Sequence, residues 1–452
     1  MDSKLQTYLN EHPNEAQTIL EALCAQPSIA AESLGMDEAA SLVTSLLSEA
    51  GFETQQLKVE GAPAAVYGEL RGKSPFSLLL YNHYDVQPAV PLELWDSPPF
   101  EPTVRDGKLY ARGVADNKGG IATRLASIRA LLAVYGELPI TLRWIIEGEE
   151  EVGSPHFGAL AEKYADLLQA DGCLWEDGGF DPTGRPGMAL GAKGLLYIQL
   201  DVQALGRDAH SGAAGTLPSA AWRLVQALAT LRGPDGRVTV PGFYDEVVPP
   251  TQAQLDALAD LTNTEALTKE MFQIDAFVDG LTGLALRERA AFSPTCNIAG
   301  LGSGYQGEGV KTVLPAKATC KIDCRLVPNQ TPEEILGKIR AHLDAGGYTD
   351  IRITSLGGSA PVVTPMEHPF VQRVLELAES FEGRTPAVSP IMGGTLPLLD
   401  DLERYVGVPG LTVAGGAGYW GSGAHAPNEH IRLEDLPKAV RFNCHLFLGL
   451  GE

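Results

Sequence analysis

The stretch LLLYNHYDVQP, residues 78–88, decides the fold prediction because an apolar run ends abruptly in polar side chains. The three leucines are typical of a buried strand, and His83 and Asp85 follow where that strand would end. Side chains two positions apart on an extended chain point to the same side, so His83 and Asp85 can meet. A carboxylate that binds one ring nitrogen while the other nitrogen faces outward is typical of metal-binding histidines. The pair alone is equally well explained as a polar strand end with a structural role only.

Strand-like and helix-like segments alternate around this stretch. Residues 73–85 (KSPFSLLLYNHYD) and 138–150 (LPITLRWIIEGEE) are apolar runs that end in charged residues. Between them, residues 119–136 (GGIATRLASIRALLAVYG) carry apolar side chains at helical spacing and end at a glycine. Strand, helix and strand in this order predict an α/β sheet, and ligand sites in such sheets lie at the carboxyl ends of the strands.

The pattern changes near residue 195 and returns near residue 363, which predicts a discontinuous main domain. Residues 194–204 (GLLYIQLDVQA) alternate like a strand, and residues 331–347 (TPEEILGKIRAHLDAGG) are typical of a helix. We therefore expect residues 1–196 plus 363–452 to form the main domain. Residues 197–362 are expected to form a smaller inserted α/β domain.

Charge and cysteine content restrict the class of function. The 452 residues include 34 basic and 57 acidic side chains, a net charge of −23, which disfavours binding to nucleic acid or to an anionic membrane surface. The six cysteines are scattered without a CxxC motif, so the sequence predicts neither a thiolate zinc site nor a disulfide framework. The first twenty residues lack a signal-peptide pattern and no long apolar run follows, so we expect a cytoplasmic protein.

Further acidic and histidine clusters follow the predicted strands or lie in Gly-rich loops. Each has an ordinary explanation, since acidic runs are usually solvated, an aspartate before a helix is often its cap, and a loop histidine is often alone. What favours a site is that one sheet edge would bring them all to the same place. The clusters are Asp116 in GKLYARGVADNKGG, the acids of EGEEEVGS at 147–154, Glu176 and Asp177 in LWEDGG, and His425 in GSGAHAPNEH.

The chemistry of this set fits divalent metal ions. Two histidines and three carboxylates, without sulfur, suit Zn²⁺ and tolerate Mn²⁺ or Co²⁺. Two such ions held about 3.5–4 Å apart polarise a carbonyl and activate water. A spare carboxylate must then act as the base that takes the proton from the water and passes it to the leaving amine.

Eight motifs, in order along the chain, resemble those of a known family. The sequence resembles the co-catalytic zinc metallopeptidases that include aminoacylases, acetylornithine deacetylases, glutamate carboxypeptidases and carnosinase-like dipeptidases, and is most similar to the cytosolic non-specific dipeptidase branch. The motifs are HYDVQP, WDSPPFEPTVRDGKLYARGVADNKG, EGEEEVGS, AHSG, GYQGEGVKTVLP, RLVP, GGTLP and GAHAPNE.

The resemblance implies a zinc-exopeptidase-like mixed-sheet catalytic domain, an inserted lid and dimerisation domain, and a role for each matching residue. It also implies a cis peptide bond after the bridging aspartate, and it favours Asp177 over Glu176 as a ligand. The implied metal ligands are His83, Asp116 (the bridging ligand), Glu151, Asp177 and His425; the implied catalytic residues are Asp85, which orients His83, and Glu150, the general base.

Residues of the inserted domain and of a late loop are implied to contact the substrate. His210 resembles a residue that reaches the substrate carbonyl from the partner subunit of a homodimer, where an imidazole would stabilise the oxyanion. Arg325 is suited to bind a terminal carboxylate with its two-pronged guanidinium, although taken alone it is more often a surface arginine at a strand end. The other implied substrate contacts are Thr312, Gly394 and Thr395.

The sequence thus predicts a dinuclear metal-dependent hydrolase that cleaves the amide bond of dipeptides. Two alternatives remain: an N-acyl-amino-acid deacylase or desuccinylase with the same chemistry, and a non-catalytic peptide-binding dimer. The loop before GGTLP departs from the family pattern, since Ile391 and Met392 replace an Arg-Glu pair and Thr395 replaces serine. Asn117 also stands where many members have aspartate. Side-chain preference is therefore the least determined property.

Overall fold

The computed structural model describes residues 2–176 and 178–452; Asp177, a predicted metal ligand, lies outside the described residues. The α-helices are α1 (Ser3–Glu11), α2 (Glu15–Ala25), α3 (Met36–Glu49), α4 (Lys118–Tyr135), α5 (Phe157–Lys163), α6 (Ala165–Leu168), α7 (Ala220–Leu228), α8 (Gln252–Asp260), α9 (Glu265–Phe272), α10 (Gly283–Phe292), α11 (Pro332–Ala345), α12 (Pro369–Glu382), α13 (Pro397–Tyr405) and α14 (Asp435–Leu450).

The strands fall into a large central sheet, a smaller sheet and several short pairs. They are β1 (Glu53–Leu57), β2 (Ala65–Leu70), β3 (Ser77–His83), β4 (Thr103–Arg105), β5 (Lys108–Tyr110), β6 (Thr141–Glu147), β7 (Gly172–Trp175), β8 (Gly187–Ala189), β9 (Gly191–Ala192), β10 (Gly194–Gln203), β11 (Ala209–His210), β12 (Asn297–Ser303), β13 (Val313–Leu314), β14 (Lys317–Leu326), β15 (Arg352–Ser359), β16 (Val362–Val363), β17 (Ala387–Ser389), β18 (Gly410–Val413) and β19 (His430–Arg432).

The central sheet is mixed and, within the described residues, has eight strands in the order β1-β2-β6-β3-β7-β18-β8-β17. Its middle strands β6, β3, β7 and β18 are parallel to their neighbours in that run. The carboxyl ends of these four strands therefore meet at one edge of the sheet, as the sequence predicted for its polar strand ends.

Both faces of the central sheet are buried, which explains the unbroken apolar run that opens the fold. Leu78 and Leu80 pack into a core with helices α1–α4, α12 and α14. Leu79 and Tyr81 point the other way, into a core with α5, α6 and α13. Because residues 78–83 of β3 are all buried, apolar residues occupy consecutive rather than alternate positions.

The smaller sheet is antiparallel, in the order β12-β14-β10-β15, and only one of its faces is buried. Leu196, Ile198 and Leu200 of β10 alternate into a separate core with α7 and α11. A mixed α/β sheet with a separate small antiparallel domain confirms the predicted fold class.

The chain passes between the two sheets along two short antiparallel segments. Strand β9 leads out of the central sheet into β10, and β16, which pairs with β9, leads back. The bounds 1–196 plus 363–452 and 197–362 stay a prediction. In the described part of the chain, no helix combines the length and apolarity needed to cross a membrane.

Candidate metal centre and catalytic site

Polar side chains gather where the parallel strands end. His83 is the last residue of β3, and Asp85 follows it in the next loop. Glu150 and Glu151 begin a single 3-10 turn just after β6, and Asp116 lies just before α4. The loop that follows β18 brings His425 to the same edge. Residues that lie more than 300 positions apart in the sequence thus meet at one place.

The Asp116 carboxylate lies between the two predicted histidine ligands. Its Oδ1 is 3.1 Å from Nε2 of His83, and its Oδ2 is 3.2 Å from Nε2 of His425. The same nitrogen of His425 lies 3.1 Å from Oε2 of Glu151. Two donor atoms about 2.1 Å from one tetrahedral zinc ion would lie about 3.4 Å apart. These donors are thus spaced as ligands of shared ions, and the set fits a pair of divalent metals.

The loop that carries Asp116 is fixed in an uncommon backbone form. The peptide bond between Asp116 and Asn117 is cis, as the resemblance implied. Opposite it, His425 has a φ of 65°, a left-handed conformation that is uncommon for residues other than glycine.

Asp85 is fully buried and joins the histidine to the glutamate turn. Its Oδ1 lies 3.3 Å from Nδ1 of His83, and its backbone carbonyl oxygen lies 3.0 Å from the same nitrogen. The same carboxylate accepts hydrogen bonds from the backbone N–H groups of Glu150 at 3.2 Å and Glu151 at 3.0 Å. It therefore directs Nε2 of the imidazole toward the Asp116 side and sets the position of the turn that carries the candidate base.

The electrostatics of the centre show an excess of negative charge that attracts protons. Hydrogen bonds to Asp116 and then Glu151 raise the pKa of His425 to about 10. Burial alone would lower the pKa of His83, but hydrogen bonds with Asp116 and Asp85 raise it well above its usual range. Divalent cations bound at the centre would neutralise the same excess of negative charge.

Glu150 differs from the other carboxylates. Its Oε2 lies 3.9 Å from Nε2 of His83, outside hydrogen-bonding distance. Burial, with further contributions from the charges of Glu151 and Asp116, raises the pKa of Glu150 to about 7. A carboxyl group with a pKa near neutrality can both accept and return a proton, which is what a general base in hydrolysis must do.

Two overlapping donor groups of the described residues could hold a metal ion. One contains His83, Asp116 and Glu151, and the other contains His83, Glu150 and Glu176, each with ligand atoms within 4.8 Å of one another. Glu176 follows β7 and brings the end of that strand to the centre. Asp177, which sequence reasoning preferred, lies outside the described residues, so its role stays a prediction.

The predicted substrate contacts form two pairs away from this centre. His210 and Thr312 pair with each other in the smaller domain, where Nε2 and Oγ1 are 3.2 Å apart and both residues are exposed. Arg325, on β14 of the smaller sheet, donates a hydrogen bond of 2.7 Å from Nη1 to Oγ1 of Thr395, in the loop that precedes α13. Gly394 is exposed beside Thr395. Within the described residues, none of these pairs contacts the metal cluster.

Sequence reasoning missed Glu429, which anchors the loop of Asp116. Its buried carboxylate accepts hydrogen bonds from Arg112 Nη1 at 2.8 Å and from the backbone N–H groups of Gly113 (2.9 Å), Ala115 (2.9 Å) and Asp116 (3.2 Å). Glu429 lies four residues after His425, so one loop carries both a candidate ligand and the anchor of another. The motif GAHAPNE contained the residue, but nothing in its pattern separated it from a surface glutamate.

A mixed α/β sheet with an inserted domain and a His, Asp and Glu cluster at its strand ends is the architecture of a metal-dependent hydrolase. Sequence comparison identifies the family: residues 79–448 match peptidase family M20/M25/M40, and the chain belongs to it. The predicted metallopeptidase class is thereby confirmed.

Three relatives illustrate the similarity. The chain is 28% identical over 395 residues to the Cys-Gly metallodipeptidase dug1 of Schizosaccharomyces pombe, covering 84% of this chain and 82% of the relative. It is 28% identical over 405 residues to the Beta-Ala-His dipeptidase of Homo sapiens, covering 86% and 78%. Among solved structures, the M20 family metallo-carboxypeptidase Sso-CP2 from Sulfolobus solfataricus is 34% identical, with a TM-score of 0.89 over 100% of this chain and 99% of that one.

Proposed function

We propose that this protein is a dinuclear metal-dependent dipeptidase in which Glu150 is the general base. The proposal rests on the Asp116 carboxylate, because each of its two oxygens lies beside a different histidine, His83 or His425. Glu150 lies nearby but outside hydrogen-bonding distance of His83. The dipeptidase activities in the names of the two curated relatives support the substrate class.

The residues divide naturally between two metal ions. Because His425 lies beside Glu151, these two would hold one ion, and His83 with Asp177 would hold the other. Asp116 would bridge both ions. A nitrogen and oxygen set without sulfur favours Zn²⁺, with Mn²⁺ or Co²⁺ as alternatives. When bound, such ions supply a polarised carbonyl and a water of lowered pKa.

The protein's own groups would do the remaining work. Glu150 takes a proton from the attacking water and delivers it to the leaving nitrogen, so that the amide becomes a carboxylate and a free amine. Asp85 fixes the orientation of the His83 ring and the position of the turn that carries Glu150. Arg325 binds the terminal carboxylate of the substrate, and Thr395 and Gly394 place further donors near it.

We also propose that the active protein is a homodimer. His210 and Thr312 are exposed and pair with each other rather than with the metal cluster of their own chain. This arrangement supports the expectation that the partner subunit's His210 completes each site, where it would stabilise the oxyanion. A cytoplasmic location is supported by the described cysteines, all six of which are free thiols.

Replacement of Glu150 by Gln tests the proposal most simply. We expect Glu150→Gln to bind metal at the wild-type stoichiometry while losing turnover of dipeptides. Glu149→Gln is the matched control, because Glu149 pairs with His156 at 2.9 Å instead and its loss should leave turnover intact. An active Glu150→Gln enzyme would refute the assigned base.

A carboxypeptidase is the second candidate, favoured by the 34% identity to Sso-CP2 over the whole chain. A rate panel separates the candidates: dipeptides, peptides of four or more residues, and N-acetyl and N-succinyl amino acids, each with Zn²⁺, Mn²⁺ or Co²⁺. Rates highest on dipeptides support our proposal. Rates highest on longer peptides favour a carboxypeptidase, and rates highest on acyl amino acids favour the deacylase alternative.

A further inference from the structure

Lys193 is a buried cation, and the stability of the fold does not explain why a charged residue is placed there. It lies between β9 and β10, where the chain leaves the central sheet, and its relative exposure is 3%. Its ammonium carries three N–H groups, and one of them is donated to the carbonyl oxygen of Ser293 at 2.7 Å. Buried charges in proteins are usually paired with an opposite charge.

The charged group acting on Lys193 has the same sign. Among the described residues that group is Arg325, and no carboxylate pairs with either cation. Burial, and then the positive charge of Arg325, lower the pKa of Lys193 to about 8. Arg112, another buried cation, shows the usual solution, since Glu429 pairs with it at 2.8 Å. Two neighbouring cations without an acid form a site that gains stability from an anion.

The backbone of Lys193 and the side chain of Arg325 both contact the loop that precedes α13. The backbone N–H of Lys193 donates to the carbonyl oxygens of Met392 at 3.1 Å and Gly394 at 3.0 Å. Arg325 reaches Thr395 of the same loop, and Thr395 Oγ1 donates in turn to the carbonyl of Gly194 at 3.1 Å. Lys193 and Arg325 are thereby both held at the junction of the two sheets, where Lys193 Nζ is placed by the carbonyl of Ser293.

We propose that Lys193 and Arg325 together form a two-cation clamp for the α-carboxylate of the substrate. The inference rests on the proposed function, in which Arg325 binds that carboxylate, and it adds Lys193 as a specificity-determining residue. It implies that the protein selects peptides or amino acid derivatives with a free terminal carboxylate over the corresponding amides.

Equilibrium binding to metal-loaded Glu150→Gln protein tests the clamp without turnover. L-Ala-L-Ala and its C-terminal amide are titrated by calorimetry. We expect the acid to bind more tightly, and Lys193→Met to reduce the ratio of acid to amide affinity by roughly ten-fold or more, as expected for a lost charge-assisted hydrogen bond. Lys193→Arg, which keeps the charge, should retain most of the ratio.

Lys338→Met is the matched control, because Lys338 also donates to a backbone carbonyl, that of Gly242 at 2.7 Å, but lies on α11. It should leave the ratio unchanged. If Lys193→Met weakens binding of the acid and the amide equally, Lys193 has only a structural role and the clamp is overturned. Equal affinity of the parent protein for both ligands would overturn it as well. If the acid is preferred in a way that depends on Lys193 but the wild-type protein hydrolyses no dipeptide, the clamp is supported and the proposed dipeptidase activity is refuted.

Discussion

Oδ1 of Asp85 lies 3.3 Å from Nδ1 of His83, and both side chains are fully buried. The same carboxylate accepts backbone hydrogen bonds from Glu150 and Glu151. One aspartate therefore orients a candidate metal ligand and the turn that carries the candidate base.

Asp85→Asn should weaken metal binding, because an amide places an N–H₂ group where the carboxylate now accepts hydrogen bonds. Losing such a supporting partner costs about 10–100-fold in metal affinity. Competition with a chelator, followed by elemental analysis, measures the change. Asp171→Asn is the control, since Asp171 also accepts a backbone hydrogen bond, from Ser77 at 2.7 Å, but outside the centre. Unchanged affinity in Asp85→Asn would contradict its orienting role.

Glu429→Gln should strongly destabilise the protein. The substitution removes the negative charge that pairs with buried Arg112, which costs about 3–5 kcal/mol of unfolding free energy. It also places an amide donor against backbone N–H groups. Urea unfolding measures the loss. Glu382→Gln, which breaks the surface pair with Lys438, should cost less than about 1 kcal/mol, and a similar cost for both variants would contradict the anchor.

Glu147 predicts a pH dependence of stability. Burial raises the pKa of Glu147 to about 8, although Tyr81 and Ser154 donate hydrogen bonds to it at 2.6 and 2.8 Å. The ordinary value is 4.5, so between pH 4.5 and about 8 the folded state holds a proton that the unfolded state has lost. The contribution of Glu147 to stability is thus complete below pH 4.5 and is lost as the pH rises toward 8.

Glu147→Gln should remove this dependence. In metal-free protein, the unfolding free energy of the variant relative to wild type should rise between pH 5 and 8, by at most about 1.4 kcal/mol per pH unit. Denaturant titrations at several pH values measure it. A difference that stays constant with pH, or falls, would show that Glu147 is ionised in the folded protein throughout.

Mixed dimers test the contribution of the partner subunit's His210. His210→Ala and Glu150→Gln proteins should each be inactive, but a mixed dimer has one complete site. After equal mixing and subunit exchange, half of the dimers are mixed, so activity should recover to about one quarter of wild type. Mixing Asp85→Asn with Glu150→Gln should restore nothing, since both lesions lie in the same site. Failure of the first pair to recover activity would favour a site completed within one chain.

The sequence predicted the parts of the fold that depend on local pattern. The apolar run before His83 forms a buried strand, and residues 119–136 fall almost entirely within α4, whose C-terminal cap is Gly136. The meeting of His83, Asp116, Glu151 and His425 followed from the rule that parallel strand ends share one edge. The features that the sequence did not predict depend on contacts between segments that are distant along the chain.

Glu429 and Lys193 illustrate that limit. Both are charged and would be expected on the surface, because burial is decided by which segments pack over them. Glu429 is buried through Arg112 and the backbone of the Asp116 loop, more than 300 positions earlier. Lys193 is enclosed by Ser293 and the loop of Gly394. The sequence on either side of these two residues shows no periodic pattern that would predict those contacts.

Anomalous diffraction at the zinc absorption edge tests the central claim most directly. Crystals of the protein loaded with Zn²⁺ should show two peaks about 3.5–4 Å apart, one beside Nε2 of His83 and one beside Nε2 of His425, with Asp116 between them. A single peak, or peaks away from Asp116, would contradict the dinuclear centre on which the proposed catalysis rests.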